Sequence, residues 1–414
     1  QRPVARNCSI ISLAILALAL FTNSAVAQTP LSLEDALAQA QTNNLKIKAG
    51  TYQIQLQQTL RGAAYEVPKT SFSTQLGQYN SNKFDLGFGL VQEIPNPRNR
   101  RAGIAYADAN TRVAELSLSV TTNDLNYEVR RLWYEMAYLQ EKEWLLETQD
   151  TLLAGFVRAA ELRVRTGETT MLEKATAEVQ LGEVRNRLAQ TRADIQIGQI
   201  RLQTLLQATE PVGIPVDTRL SRRALPDLAT ATADNPALAW SRQQIALGQA
   251  ITAVTKARLA PDFSIGYLNQ SLITPEANAD PSYTAGNRFH VAEFGVSVPI
   301  FRKAQKSRIQ ASKIGQQIAQ TNLEAHTRQL EGQYQEAFQE YDKQRNVLDY
   351  YEKTALPAAD LLLSNGQKSY RAGDVGYLEY VQALSRANDI RLAYLEALDG
   401  YNEAVIRIEW LAGK

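Results

Sequence analysis

The chain is poor in the side chains from which catalytic and metal sites are usually built. Its 414 residues include one cysteine, Cys8, two histidines, His290 and His326, and two methionines, Met136 and Met171. Spaced so far apart, they form no metal-ligand cluster and offer little to a histidine-based nucleophilic site. Paired carboxylates remain open, but a rod-like helical chain leaves little room for a concave pocket. No G-x-x-x-x-G-K-[ST] sequence is present to cradle a nucleotide, and no cofactor is expected. An excess of one charge is missing too: 44 Lys and Arg face 43 Asp and Glu, a formal net charge of +1. Nothing there points to nucleic acid or another polyanion.

After the N-terminal stretch no segment approaches roughly 18 uninterrupted apolar residues, so no transmembrane helix is expected beyond it. A membrane would have to be crossed by strands. Residues 1–27 read differently: Arg2 and Arg6, the run "IISLAILALALF" and the small-residue close "NSAVA" have the parts of a secretory signal peptide cleaved after Ala27. That run is short of the roughly 20 residues a spanning helix needs. Cleavage would remove Cys8, and Gln28 at the new terminus would carry no lipid.

What the chain does have is a duplication. "LRVRTGETTMLEKATA" (162–177) and "YRAGDVGYLEYVQA" (370–383) align at an offset of 206, with Arg165 on Arg371, Gly167 on Gly373, Glu168 on Asp374, Leu172 on Leu378 and Glu173 on Glu379. Upstream, Phe88-Gly89-Leu90 falls on Phe294-Gly295-Val296, and downstream Leu205 falls on Leu411. Long helices explain the fixed length, because one inserted residue rotates everything beyond it by about 100°.

Between Ala102 and Arg165 there is no proline, and Gly103 and Gly155 sit near the ends. Leu118, Leu125, Leu132, Leu139, Leu146 and Leu153 recur every seven residues, as do Leu181, Leu188, Ile195 and Leu202. The second copy keeps the frame with Leu330, Tyr334, Ala337, Tyr341 and Leu348, then Ala387, Tyr394, Tyr401 and Ile408. The spacing predicts long helices coiled on one another, the first nearly 100 Å long at about 1.5 Å per residue. A soluble periplasmic coiled-coil scaffold or adaptor would show the same pattern.

Two pairs of strand-like stretches precede the helical hairpins: 69–79 with 84–94, and 262–273 with 289–300. Phe84, Leu86, Phe88 and Leu90 alternate with Asp85, Gly87 and Gly89, and Phe294, Val296 and Val298 with Gly295 and Ser297. One apolar face and one small or polar face suits a strand between lipid and a watery lumen, and also an ordinary sheet over a soluble core. Four strands cannot close a barrel, and lipid tolerates no open edge. If they cross a membrane, several chains must share one barrel.

With "LSLEDALAQAQTNNLKIKAG" (31–50), "LAPDFSIGY", "FGVSVPIF" and "YRAGDVGYLEYVQALSRANDIRLAYLEALDGYNEAV" (370–405), the chain resembles the TolC family of outer-membrane efflux proteins over nearly its whole length. The resemblance implies a mainly α chain with a small β part. Its long antiparallel coiled-coil helices would build a periplasmic α-barrel, and its four strands would enter a trimeric twelve-stranded barrel in the bacterial outer membrane. It implies two outer-membrane efflux repeats, 28–207 and 237–414, joined by an equatorial linker at 208–236.

The expected function is a passive exit duct for an inner-membrane pump of the resistance-nodulation-division type, reached through a periplasmic adaptor. Outer-membrane lipid would be a further partner. By position, Arg165, Thr166, Gly167, Glu168 and Arg371, Ala372, Gly373, Asp374 become adaptor-docking tips. Glu379, with Asp374 and Gln382, becomes the candidate pore constriction, where a ring of carboxylates would favour cations. Gln382 departs from the family's acidic pattern, and Glu379 and Glu173 read equally well as solvated helix positions. Arg98, Arg100 and Arg101 would fall at the barrel's periplasmic edge, facing lipid phosphates or water. Compact length and short strand connections look more like the divalent-metal branch than the drug-exporting one.

Overall fold

The computed structural model describes residues 29–78, 84–216, 218–226, 234–271 and 288–414. The expected leader at 1–27 lies outside them, as do 79 and 272–273 of the expected strands and 217 and 227–233 of the expected linker. The elements run β1 (Thr29–Pro30), α1 (Leu33–Asn43), α2 (Leu45–Gly62), β2 (Ser71–Gly77), β3 (Asp85–Ile94), α3 (Pro97–Arg165), α4 (Met171–Leu206) and β4 (Val212–Gly213). They continue as α5 (Pro236–Ala257), β5 (Asp262–Ser271), β6 (Arg288–Ser297), α6 (Lys303–Tyr350), a π-helical turn (Tyr351–Ala355), α7 (Leu356–Ala372) and α8 (Tyr377–Leu411). Among the described residues no helix is long and apolar enough to cross a membrane.

Two compact units result, and neither coincides with a sequence repeat. One takes in the described residues up to Asn44, Leu125–Leu225 and Gln339–Arg407; the other takes Leu45–Asp124, Pro226–Phe338 and Ile408–Lys414. Each draws on both copies of the repeat, because corresponding stretches of the two copies pack on each other rather than folding separately.

The second unit carries an antiparallel sheet in the order β2-β3-β5-β6, so β2 and β6 are both edges. Phe72 faces Leu90, which faces Tyr267 in turn, while the neighbouring register joins Ser73, Gly89 and Leu268. Period two thus puts Phe72, Phe88, Leu90, Phe263, Ile265, Phe294 and Val296 on one face, all of them exposed. The other face holds Ser73, Gly87, Gly89, Ser264 and Gly295. Gly89 and Gly295 fit for want of space: a Cβ would come within 2.7 Å of Ser73 Oγ and 2.2 Å of Ser264 Oγ, respectively. β2 ends at Gly77 and β6 at Ser297, short of their sequence stretches, and α3 begins at Pro97 rather than near Ala102. Proline suits a first helical turn, where its missing N–H is not needed.

In the first unit the heptad positions are the core. Leu132, Leu146, Leu202, Leu348 and Ala387 are almost fully buried, with Leu181, Leu188 and Tyr401 close behind. Met136 packs so tightly on Gly198 of α4 that a Cβ there would lie 2.2 Å from its Sδ. The linker does not run free: β4 pairs in parallel with β1, and the Arg223 backbone N–H donates to Asn402 Oδ1 at 2.9 Å.

The backbone of the first hairpin helix differs between the two copies. Where α3 runs through Thr151, the second copy has Pro357, preceded by the π-helical turn. Proline removes a backbone donor, and a wider turn absorbs the mismatch. Arg222 of the linker donates to Asp349 at 3.0 Å and to Glu352 at 3.2 Å, while its guanidinium lies 4.8 Å from the Tyr401 ring centroid.

Candidate functional site

The paired glycine turns share one geometry. A helix that stops leaves its last carbonyls without partners, and a residue in the left-handed region lets the chain fold back to satisfy two of them. Gly167 takes φ +74° and Gly373 φ +82°. The N–H of Gly167 donates to Val164 O at 3.2 Å and that of Glu168 to Arg163 O at 2.8 Å; Gly373 and Asp374 repeat this on Tyr370 O at 3.2 Å and Ser369 O at 2.9 Å. Nothing lies within 4 Å of a Cβ built at either glycine, so backbone conformation rather than crowding selects the residue.

All eight expected tip residues, 165–168 and 371–374, are exposed. Arg165 Nη2 donates to Glu161 at 2.8 Å, and Thr166 Oγ1 donates to Arg163 O at 3.1 Å, a bond Ala372 cannot make. Apolar side chains at the two tips are exposed unequally. Leu162, Met171 and Leu172 are 64%, 65% and 72% exposed, whereas Tyr377, the counterpart of Met171, is buried.

The helices leaving the turns divide a capping box between them. Thr170 Oγ1 accepts the Glu173 backbone N–H at 3.4 Å at the start of α4, and Thr169 donates to the Glu173 carboxylate. In the second copy Gly376 replaces Thr170, and only the return bond survives: Glu379 Oε2 accepts the Gly376 N–H at 3.1 Å. Glu379 and Gln382 are both exposed and three residues apart, hence neighbours on one side of α8. Asp374 stands in the turn itself.

Two features escaped the sequence reading. Phe156 of α3 meets Tyr377 and Tyr380 edge-on at 5.8 and 5.5 Å, while Tyr370 stacks on Tyr380 at 4.9 Å. The ring cluster joins the first hairpin to the second near both turns. Burial, with Tyr370 and Glu173 nearby, pushes the Tyr377 hydroxyl up to about 12. The tyrosine spacing 370, 377 and 380 was visible in the sequence; the partner Phe156 was not.

The second feature is a cavity of about 410 Å³ whose walls include Arg131, Glu135, Tyr138, Asp194, Asp399 and Glu403. Burial, then Glu403 and Glu135, push the Asp399 carboxyl up to about 7, against the opposing pull of Arg131. The carboxylates do not gather into a metal site, and among the described residues no group of three or more metal-ligating side chains occurs. His326 shares a 2.8 Å hydrogen bond with Ser241, and His290 one of 2.5 Å with Tyr267.

A sheet with one exposed apolar face and long heptad-packed helices with matched capped turns are the elements of an outer-membrane channel fold. Known proteins agree. Residues 228–414 match the family described as Outer membrane efflux protein. The cobalt-zinc-cadmium resistance protein CzcC of Cupriavidus metallidurans is 22% identical over 389 residues, 93% of this chain and 90% of that one. Among solved structures, CusC superposes with a TM-score of 0.73 at 14% identity, covering 93% of this chain and 92% of its own. The open-state MtrE outer membrane channel of Neisseria gonorrhoeae gives 0.72 at 14% identity, covering 92% and 88%. Residues 228–414 thus carry the outer membrane efflux protein pattern, and the chain shares the fold of these outer-membrane channels.

Proposed function

We propose that three copies of this chain form the exit duct of a tripartite efflux system, passing what an energised inner-membrane pump delivers through a periplasmic adaptor. The observation that carries the trimer is the sheet: an exposed apolar face and two edges, β2 and β6, that pair with no further strand among the described residues cannot be left in lipid. Edge-to-edge closure by three chains would make one twelve-stranded barrel, with the helices as its periplasmic extension. In this reading residues 28–207 and 237–414 are two outer-membrane efflux repeats, joined by 208–236.

The two capped turns then become six tips around one ring, and 165–168 and 371–374 the adaptor-docking residues. Glu379, Asp374 and Gln382 would lie near the narrowest point, where three-fold repetition would concentrate negative charge and favour cations. Divalent metal ions are the proposed cargo, supported by the resistance named for the Cupriavidus relative. They are cargo rather than a resident cofactor, and the duct performs no catalysis. A pump of the resistance-nodulation-division type is the proposed energy source. The test is fractionation: heat-modifiable trimers in the outer membrane are expected, and quantitative recovery in the soluble periplasm would overturn the reading.

A further inference from the structure

Charge along the segments that flank the strands is sorted by position. Four stretches contain no Asp or Glu at all, 36–65, 94–107, 235–261 and 294–323, and they supply the helical segments that enter and leave the strands. Basic residues remain at these junctions. Arg98, Arg100 and Arg101 follow β3, Lys256 and Arg258 precede β5, and Arg302, Lys303 and Lys306 follow β6. All are exposed, and among the described residues none pairs with a carboxylate. Two of the acids that bound these stretches are already engaged: Asp262 accepts the Asn96 N–H at 2.8 Å, and Asp108 accepts from Arg61 at 2.6 Å.

Apolar side chains lead straight into this basic zone. After β6, Ile300 is 78% and Phe301 94% exposed, immediately before Arg302 and Lys303. At the end of β3, Ile94 is exposed, and the Arg100 guanidinium lies 5.4 Å from the Tyr65 ring centroid. A bare aromatic beside unpaired cations, one step beyond an apolar sheet face, fits neither water nor hydrocarbon. It fits the boundary where headgroup phosphate meets acyl chain.

We propose that the strand–helix junctions form a belt that binds the phosphates of anionic phospholipids in the leaflet nearest the helices, with Arg98, Arg100, Arg101, Arg302, Lys303 and Lys306 as its main contacts and Phe301 as its apolar anchor. The belt rests on the duct reading, since it needs the sheet to cross the bilayer. It adds a chemical preference: phosphatidylglycerol-like headgroups over zwitterionic ones.

The test uses the full chain in nanodiscs of phosphatidylcholine containing a minority of phosphatidylglycerol, with retained lipid read by native mass spectrometry and conductance measured on the same preparation. The protein should retain phosphatidylglycerol enriched several-fold over the bulk ratio, and the enrichment should collapse at about 1 M salt. Replacing Arg98, Arg101, Lys303 and Lys306 with Gln should return the ratio to bulk; the milder pair K303Q and K306Q should lose part of the enrichment if the fourfold variant assembles poorly. A conducting protein with no enrichment, or with enrichment unchanged in the variants, overturns the belt and leaves the duct standing. Variants that alter ion selectivity while retaining lipid as before place the cations in the lumen and also overturn it. Failure of the unaltered protein to insert or conduct overturns the duct, and the belt with it.

Discussion

Glu379 Oε2 accepts the Gly376 backbone N–H at 3.1 Å, closing the first turn of α8, while the side chain remains exposed. The residue proposed for the constriction therefore has a second, local task, and a simple alanine replacement would mix the two. E379Q keeps an acceptor and removes the charge; E379A removes both. Both variants are expected to reduce cation selectivity of the reconstituted pore. Only E379A should also lose stability, by about 0.5–1 kcal/mol, the scale of a helix cap. Bilayer recordings with thermal unfolding check both, and unchanged selectivity in both variants would remove Glu379 from the constriction.

Gly373 sits at φ +82° with open space around it. G373V should cost about 1–2 kcal/mol through backbone strain alone. The expected outcome is a normally abundant membrane trimer that no longer supports efflux, read by resistance of cells carrying the variant. G167V tests the other tip. Full efflux from G373V at normal abundance would contradict the docking role.

Asp399 provides a pH test. Its folded carboxyl is pushed up to about 7 by burial and by Glu403 and Glu135, so the folded state holds this proton more tightly than the unfolded one. Stability from that proton is fully present below the ordinary carboxylate range and is lost as pH rises through about 7. D399N should flatten this part of the stability profile and raise the melting temperature at pH 8. Thermal melts between pH 5 and pH 8 give the comparison.

Arg222 holds Asp349 and Glu352, which bracket the start of the π-helical turn. R222A should leave the outer helices folded while amide exchange across 349–356 speeds up, by about ten-fold if roughly 1.4 kcal/mol of local stability is lost. Hydrogen exchange read by mass spectrometry resolves that segment.

Much of this architecture is legible in the sequence, for reasons that differ by element. Leu132, Leu146, Leu202 and Leu348 are buried as their seven-residue spacing requires, because a helix fixes which residues share a side. The alternation at Phe88 and Phe294 marks the exposed sheet face in the same way. Gly167 and Gly373 stand out because a left-handed turn excludes most other residues. What stayed hidden depends on meetings between distant segments. The division into units joins pieces of both repeats, the Asp399 cavity needs three helices, and Phe156 finds Tyr377 across more than two hundred residues. The π-helical turn left one local trace, Pro357, which alone also fits a kink or a helix start.

The central claim is a duct closed by three copies. Planar-bilayer recording of the purified protein, with its mass determined in the same detergent, tests that claim most directly. Discrete conductance steps from a species of three chains are the predicted result. A single chain that produces no steps would contradict it.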